Sequence, residues 1–443
     1  MTPLYAYLRE RMREHPARTV RDESRCITFA DLFDEAERLG ASLTGRLYGV
    51  LCRSDLDTAR WILACLSAGK TAVPLSGRYG ATHAETIRKA AGLSCILTET
   101  GPQCVGTPLS DEQALEDIRL ILYTSGTTGV PKGAMLSDAG LLVNLQAIES
   151  YFRIAGRIRI ARPLYHCAVL MGEFLLALAS GVDIVFDNGA FQPLRLLETV
   201  QSEGITVLCG TPTLFYQLSR AAVRRGRILP LQAAAVSGEC MTPSVAAQMR
   251  RAMPDTAIYH VYGLTEAGPR VSFLPPAQFD ARPESVGHPL PCFLYRIEEG
   301  ELLLKGGSLM KGYYRCPKDT ARALAGGWLH TGDAAETDED GFLYIRSRLD
   351  DLIIRAGLNI YPQEIENRLR QEEAIEDVMA YGVPDPVAGQ RIHIRAVAPR
   401  LTRQIFWTLC QKRLPPYQFP DEFELVESLP RSASGKVLRN RSE

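Results

Sequence analysis

The 443-residue sequence has almost no net charge, with 50 Lys plus Arg against 51 Asp plus Glu for a formal value of -1. That balance excludes a global field drawing the chain to nucleic acid or an anionic membrane, so any anion binding has to be local. The sequence also lacks a C-x-x-C pair, its 11 cysteines being scattered from Cys26 to Cys410. An odd, scattered set argues against a disulfide framework and a structural zinc site, and fits a reducing cytoplasm. No long apolar run is free of charge. The longest, Val169 to Phe186, contains Glu173 and Asp183, each costing about 2.5–3.5 kcal/mol at the centre of a bilayer. It reads as a buried helix followed by a strand, and no membrane span is expected. The N-terminus is charged by Arg9 and has no apolar core of the kind a secretory signal needs. Internal repeats and low-complexity tracts are missing too, which excludes a solenoid.

What is present is the composition of a globular protein, 46% hydrophobic and 23% charged. The chain is too long for one ordinary core, so two or more domains are expected. Apolar residues fall at helical spacing in Phe29 to Leu43, Thr58 to Ala68, Leu141 to Tyr151 and Leu194 to Glu203. Between them, Tyr48 to Cys52, Ile118 to Tyr123, Val182 to Phe186 and Thr206 to Cys209 read as short strands. This alternation predicts an α/β fold with largely parallel sheets covered by helices. From about Ser285 the pattern turns to short strands with Gly-rich turns, a β-rich subdomain at Leu302 to Leu304 and Phe342 to Ile345. After Arg348-Leu-Asp-Asp351 a small α+β pattern begins: helix Pro362 to Glu372, strands Asp377 to Gly382 and Arg391 to Ala398, helix Thr402 to Arg413 and a basic tail. The boundary is placed near Asp350, giving an N-terminal core over 1–349 and a C-terminal domain over 350–443.

In Ile121-Leu-Tyr-Thr-Ser-Gly-Thr-Thr-Gly-Val-Pro-Lys-Gly133 a buried strand runs into a loop suited to a polyphosphate. Gly126 and Gly129 let successive N–H groups turn toward one point, Thr124, Ser125, Thr127 and Thr128 add hydroxyl donors, and Lys132 adds charge. The spacing is not that of a Walker A loop, because Pro131 precedes the lysine. Taken alone, the same residues also describe a surface turn.

Tyr123-Thr-Ser-Gly-Thr-Thr-Gly-Val-Pro-Lys-Gly133 resembles the phosphate loop of the adenylate-forming superfamily, which includes acyl-CoA synthetases, peptide-synthetase adenylation domains and luciferases. Further motifs follow in order. Val261-Tyr-Gly-Leu-Thr-Glu-Ala-Gly268 is similar to the second signature. It implies that Tyr262 and Gly263 flank adenine, Thr265 meets the α-phosphate and Glu266 helps hold magnesium, a hard ion that wants oxygen ligands; Thr128 is assigned to the same metal. His330-Thr-Gly-Asp333 resembles the third signature, whose aspartate accepts from both ribose hydroxyls. Arg348 to Pro362 looks like the hinge segment, with Arg348 near ribose and phosphates and Asp350 as pivot; Ala356 and Leu358 depart from its common form and bear on the thiol channel. Leu429-Pro-Arg-Ser-Ala-Ser-Gly-Lys-Val-Leu-Arg439 matches the C-terminal signature, making Lys436 the catalytic lysine. Without the resemblance, Glu266 reads as a surface carboxylate, Asp333 as part of an acidic turn and Lys436 as solvated charge.

Two weaker matches concern the substrate. Pro163-Leu-Tyr-His166 resembles the segment lining the acyl pocket, with His166 as its gate; a lone His is also a common structural residue. Ser237-Gly-Glu-Cys240 falls at the adenine-binding turn, represented by Gly238 and Glu239, and a Glu there is reminiscent of peptide-synthetase domains. The resemblance implies two steps: a carboxylate attacks the α-phosphate of Mg-ATP to give acyl-AMP and pyrophosphate, and a thiol then takes the acyl group. Cofactors are ATP, Mg2+ and coenzyme A. The alternatives are a stand-alone enzyme loading the phosphopantetheine of a separate acyl carrier protein, and a non-catalytic nucleotide-binding homologue. The phosphate loop also arrives early for the family, so the N-terminal subdomain reads as abbreviated. Cys167-Ala-Val-Leu170 offers no aspartate for an α-amino group, so the reading leans to an uncharged aryl or acyl acid.

Overall fold

The computed structural model describes residues 2–77, 81–104, 113–124, 131–189, 191–356, 358–430 and 437. By internal contacts the chain divides into two compact units, one of Met1–Arg296, Leu303–Thr331 and Gly341–Leu343, the other of Ile297–Leu302, Gly332–Asp340 and Tyr344–Glu443.

The first unit is built on two sheets. A nine-stranded sheet runs His288–Pro289, Arg270–Leu274, Ala257–Gly263, Ala233–Ser237, Val207–Gly210, Arg157–Ile160, Asp183–Phe186, Thr19–Arg21 and Cys26–Thr28. Its interior pairs are parallel and its edges antiparallel. Central strands such as Val207–Gly210 are buried at every residue, the continuous apolar run a parallel strand covered on both faces requires. Helices Pro193–Ser202, Pro212–Arg224 and Pro243–Ala252 each start with proline in the first turn, where the missing N–H costs nothing. They bury Leu197, Phe215, Leu218 and Met249 in one core with strand residues Leu208, Ala234 and Val236. The six-stranded sheet, Gly101–Cys104, Cys95–Thr98, Leu47–Val50, Thr71–Pro74, Ile118–Thr124 and Lys132–Ser137, is parallel at its centre and closed by an antiparallel hairpin on each side.

The predicted elements form, with shifted ends. The helices expected from Thr58 and Leu141 start at Asp55 and Asp138, because the side chains of Ser54 and Ser137 cap the first turns there. The run from Val169 is helical as far as Ala179, including a π-helical turn over Leu170–Leu175, before the strand Asp183–Phe186. The β-rich texture after Ser285 corresponds to strands Phe293–Glu298, Glu301–Gly306, Leu329–Thr337 and Leu343–Arg348. One expectation is corrected. Cys95 and Cys104 form a disulfide, since the antiparallel hairpin places them directly opposite one another, a pairing their spacing alone did not suggest.

The second unit contains a five-stranded sheet in which Leu358–Ile360, Ile353–Arg355, Gly389–Val397 and Asp377–Asp385 lie side by side and Glu422–Leu425 pairs with Gly389–Val397. Helices Pro362–Leu369 and Arg403–Arg413 contribute Ile365, Leu369, Phe406 and Cys410 to a core with Ile353, Val378 and Ile394.

Candidate active site

Four neighbouring parallel strands, Arg157–Ile160, Val207–Gly210, Ala233–Ser237 and Ala257–Gly263, release their chains at one edge of the large sheet. The segments that leave there contain His166, Thr211 to Thr213, Gly238 with Glu239, and Gly263 to Glu266. In open α/β sheets ligands collect outside the carboxyl ends of the strands. Gly263 is required at its turn: a Cβ would stand 2.0 Å from the carbonyl oxygen of Pro269.

Thr124 and Lys132 are register partners at the mouth of a hairpin in the six-stranded sheet. The loop residues Ser125, Gly126, Thr127, Thr128 and Gly129 lie outside the described residues, as does Lys436. The segment Met310–Tyr314 joins hairpin and edge. Its backbone pairs with Gly133 and Met135 on one side, and the N–H of Met310 donates to the carbonyl of Glu266 at 2.8 Å on the other. Tyr313 then points to both motifs: its hydroxyl donates to Oε1 of Glu266 at 2.8 Å, and its ring centroid lies 5.7 Å from Nζ of Lys132. The lysine is held by Asp319 at 2.6 Å, and its hydrogen bond, then its charge, lower the pKa of the Asp319 carboxyl. Tyr313 and Asp319 were missed in the sequence because they belong to no motif; the aromatic pair in Gly312-Tyr-Tyr314 was the only signal.

His166 caps the N-terminus of the helical segment that starts at Cys167. Its neighbour Tyr165 donates to the carbonyl of Tyr123 at 3.1 Å, tying this segment to strand Ile118–Thr124. Burial, and next the negative charge of Glu266, push the Cys167 thiol up. In the Gly238 turn, Oε2 of Glu239 accepts from the N–H and hydroxyl of Thr213, at 3.1 and 2.6 Å, in the first turn of helix Pro212–Arg224.

A buried polar cluster lies further along the Cys167 helix. Oε1 of Glu173, 1% exposed, accepts from Arg162 at 2.8 Å, while Oε2 has no hydrogen-bond partner among the described residues. Burial pushes this carboxyl up, against the pull of Arg162. Arg270, also buried, donates to the hydroxyl of Tyr151 at 2.9 Å and the carbonyl of Gly172 at 3.1 Å.

In the second unit Asp333 and Arg348 form an ion pair at 3.0 Å. Gly332, at φ 69°, leaves the space the guanidinium occupies: a Cβ there would stand 2.9 Å from it. Asp350 sits in the turn Leu349–Asp351 directly after strand Leu343–Arg348, an element boundary where a pivot can absorb backbone rotation.

Magnesium fits the donor set. It binds through one or two carboxylates and substrate phosphates rather than an all-protein cage, and Glu266 supplies one carboxylate, hydrogen-bonded by Tyr313.

The chain belongs to the AMP-binding enzymes: residues 106–314 match the AMP-binding enzyme family and 364–436 its C-terminal domain. It is 30% identical to a feruloyl-CoA synthase from an Amycolatopsis species over 97% of this chain and 96% of that protein. Among solved structures it is similar to o-succinylbenzoate coenzyme A synthetase from Bacillus subtilis, in complex with ATP and magnesium ion, with TM-score 0.85, 25% identity and 98% of each chain covered. It is also similar to the amide bond synthetase McbA from Marinactinospora thermotolerans, with TM-score 0.80, 26% identity and 98% of each chain covered. The α/β fold with a separate C-terminal domain is that of these enzymes.

Proposed function

We propose that this chain is an AMP-forming acid–thiol ligase that activates a small carboxylic acid with ATP and passes the acyl group to coenzyme A. The observation that carries this reading is Tyr313, which meets the second-signature carboxylate Glu266 and the phosphate-loop cation Lys132 at once. Family membership and similarity to CoA-forming enzymes along nearly the whole chain support it.

In this reading the acid enters past His166 and its carboxylate attacks the α-phosphate, expelling pyrophosphate. Lys132 and the hairpin Thr124 to Lys132 neutralise the departing phosphates, Thr265 holds the α-phosphate, and Lys436 counters the charge growing on it, the electrostatic work that dominates phosphoryl and nucleotidyl transfer. Glu266, with Thr128, would hold magnesium, which supplies charge neutralisation across the phosphates. Tyr262, Gly263 and Gly238 bound the adenine, and Asp333 with Arg348 takes the ribose. A turn about Asp350 then lets the thiol reach the acyl-AMP, with domains divided near that residue. The reaction is placed in the cytoplasm, where ATP and coenzyme A are supplied; among the described residues no helix is long and apolar enough to cross a membrane.

Acid-dependent exchange of labelled pyrophosphate into ATP, over a panel of fatty, aryl and amino acids, tests the first step. Exchange with at least one acid is expected, followed by thioester formation on adding coenzyme A. No exchange with any acid would refute the reading and favour a nucleotide-binding homologue without activity. Thioester formed only on a carrier protein would move the acceptor, although Glu239, which first suggested that alternative, is held by Thr213.

A further inference from the structure

Lys132 and Asp319 are 187 positions apart in the chain, yet Nζ of the lysine donates to Oδ1 of the aspartate at 2.6 Å. Backbone pairing sets up this contact. Residues 311–314 run alongside strand Lys132–Ser137, the N–H of Lys311 donating to Met135, that of Met135 to Gly312 and that of Tyr314 to Gly133. Arg315, at φ 57°, then turns the chain toward helix Pro317–Ala323. Thr320 fastens that helix back onto the paired segment: its hydroxyl accepts from the N–H of Tyr313 at 2.8 Å and donates to the carbonyl of Cys316 at 2.9 Å. Gly312 permits the close approach, since at φ 137° a Cβ would stand 2.6 Å from Cγ2 of Thr320. Asp319 is thereby carried on the same braced segment as Tyr313, whose hydroxyl meets Glu266.

A lysine ammonium ends a flexible stem, and that freedom has to be given up before the charge can serve one fixed point. Asp319 gives it up in advance. The side chains of Lys132 and Asp319 keep 15% and 31% exposure, so the pair opens to solvent rather than being sealed in the core. Nor is its charge cancelled. An ammonium has three donors, and Arg322 donates to the same Oδ1 at 2.9 Å, so two cations share one carboxylate and the group stays net positive. Helix stability asks for less than this, because an acidic residue in the first turn of Pro317–Ala323 is favourable without any lysine.

Resting on the reading of this chain as an acid-activating ligase, we propose that Asp319 is a positioning residue for Lys132. It holds the ammonium where the departing phosphates of ATP meet it, and it acts on the reaction only through that lysine.

The test is a double-mutant cycle read by pyrophosphate exchange. Asp319→Ala is expected to lower kcat/KM for ATP about tenfold or more, the scale of loss when a reacting group is misplaced. Asp319→Asn, nearly isosteric and still an acceptor, should lose less. In a Lys132→Met background, where there is no ammonium to hold, either Asp319 substitution should add less than about twofold. Thioester formation from preformed acyl-AMP and coenzyme A involves no departing pyrophosphate, so the Asp319 variants should run it within about twofold of wild type. The cycle can be completed with Asn, so a poorly folding Ala variant does not remove the test. The same factor lost with and without Lys132, or equal losses in both half-reactions, would make Asp319 a structural residue of its helix and leave the ligase standing. A gain in kcat/KM on losing the carboxylate would overturn the proposal too, by making Asp319 a competitor of the phosphates. No exchange by the wild-type protein with any acid would remove both readings.

Discussion

The hydroxyl of Tyr313 donates to Oε1 of Glu266 at 2.8 Å, which couples a residue outside every signature to the carboxylate assigned to magnesium. A hydrogen bond to a charged group contributes about 1.5–3 kcal/mol, so Tyr313→Phe, which keeps the ring, is expected to lower exchange about tenfold or more. The magnesium dependence should move to higher concentration, because Glu266 loses the contact that orients it. Titrating magnesium at saturating ATP checks this; an unchanged curve with a rate within twofold would reduce Tyr313 to packing.

Glu239 gives the opposite expectation. Its carboxylate receives two hydrogen bonds from Thr213 at a helix N-terminus, where negative charge is favourable. Thr211 already caps Leu214 in the same turn, so losing Glu239 should cost only about 0.5–1 kcal/mol. Glu239→Ala is therefore expected to lower Tm slightly and leave KM for ATP within about twofold. A large rise in KM with no thermal effect would instead make the side chain an adenine contact.

The difference between these two residues shows how far the sequence reaches. Alternating strands and helices were legible because a parallel strand must be apolar throughout, as Val207–Gly210 is, and a covering helix on one face only. The segment Thr124 to Lys132 stood out because glycines, hydroxyls and a lysine crowd a few positions. Tyr313 and Asp319 were not, since their roles arise from Met310–Tyr314 pairing alongside Gly133 and Met135, a long-range register that no local pattern encodes. The hydrogen bonds from Thr213 to Glu239 were not legible either, since 26 positions separate the two residues in the chain. Cys95 and Cys104 were scattered cysteines until a hairpin set them opposite one another.

Lys436 lies outside the described residues, and its role is tested by separating the half-reactions. If it counters charge on the α-phosphate, Lys436→Ala should abolish pyrophosphate exchange and still form thioester from preformed acyl-AMP and coenzyme A. Removing a preorganised charge partner at a developing anion typically costs about 100- to 1000-fold. Equal losses in both half-reactions would refute the assignment.

His260 makes the large sheet sensitive to acid. It is 2% exposed, in strand Ala257–Gly263. Its Nδ1 lies 2.8 Å from the carbonyl of Ser285, an acceptor only, so Nδ1 carries the hydrogen. Burial lowers its pKa to about 4, against an unfolded value of about 6.5. Between those values the unfolded chain binds the proton and the folded one does not, so stability is fully present above about pH 6.5 and is lost as pH falls toward 4. At about 1.4 kcal/mol per pH unit the loss approaches 3 kcal/mol. Glu173 titrates in the opposite sense, its carboxyl being pushed up, so the wild-type curve alone does not isolate the histidine. The comparison with His260→Gln does: its Tm is expected to lie below wild type at pH 7.5, where the Ser285 contact is lost, and to fall less steeply between pH 6.5 and 4.5. Parallel melting curves for the two proteins across that window would show that His260 is already charged in the fold.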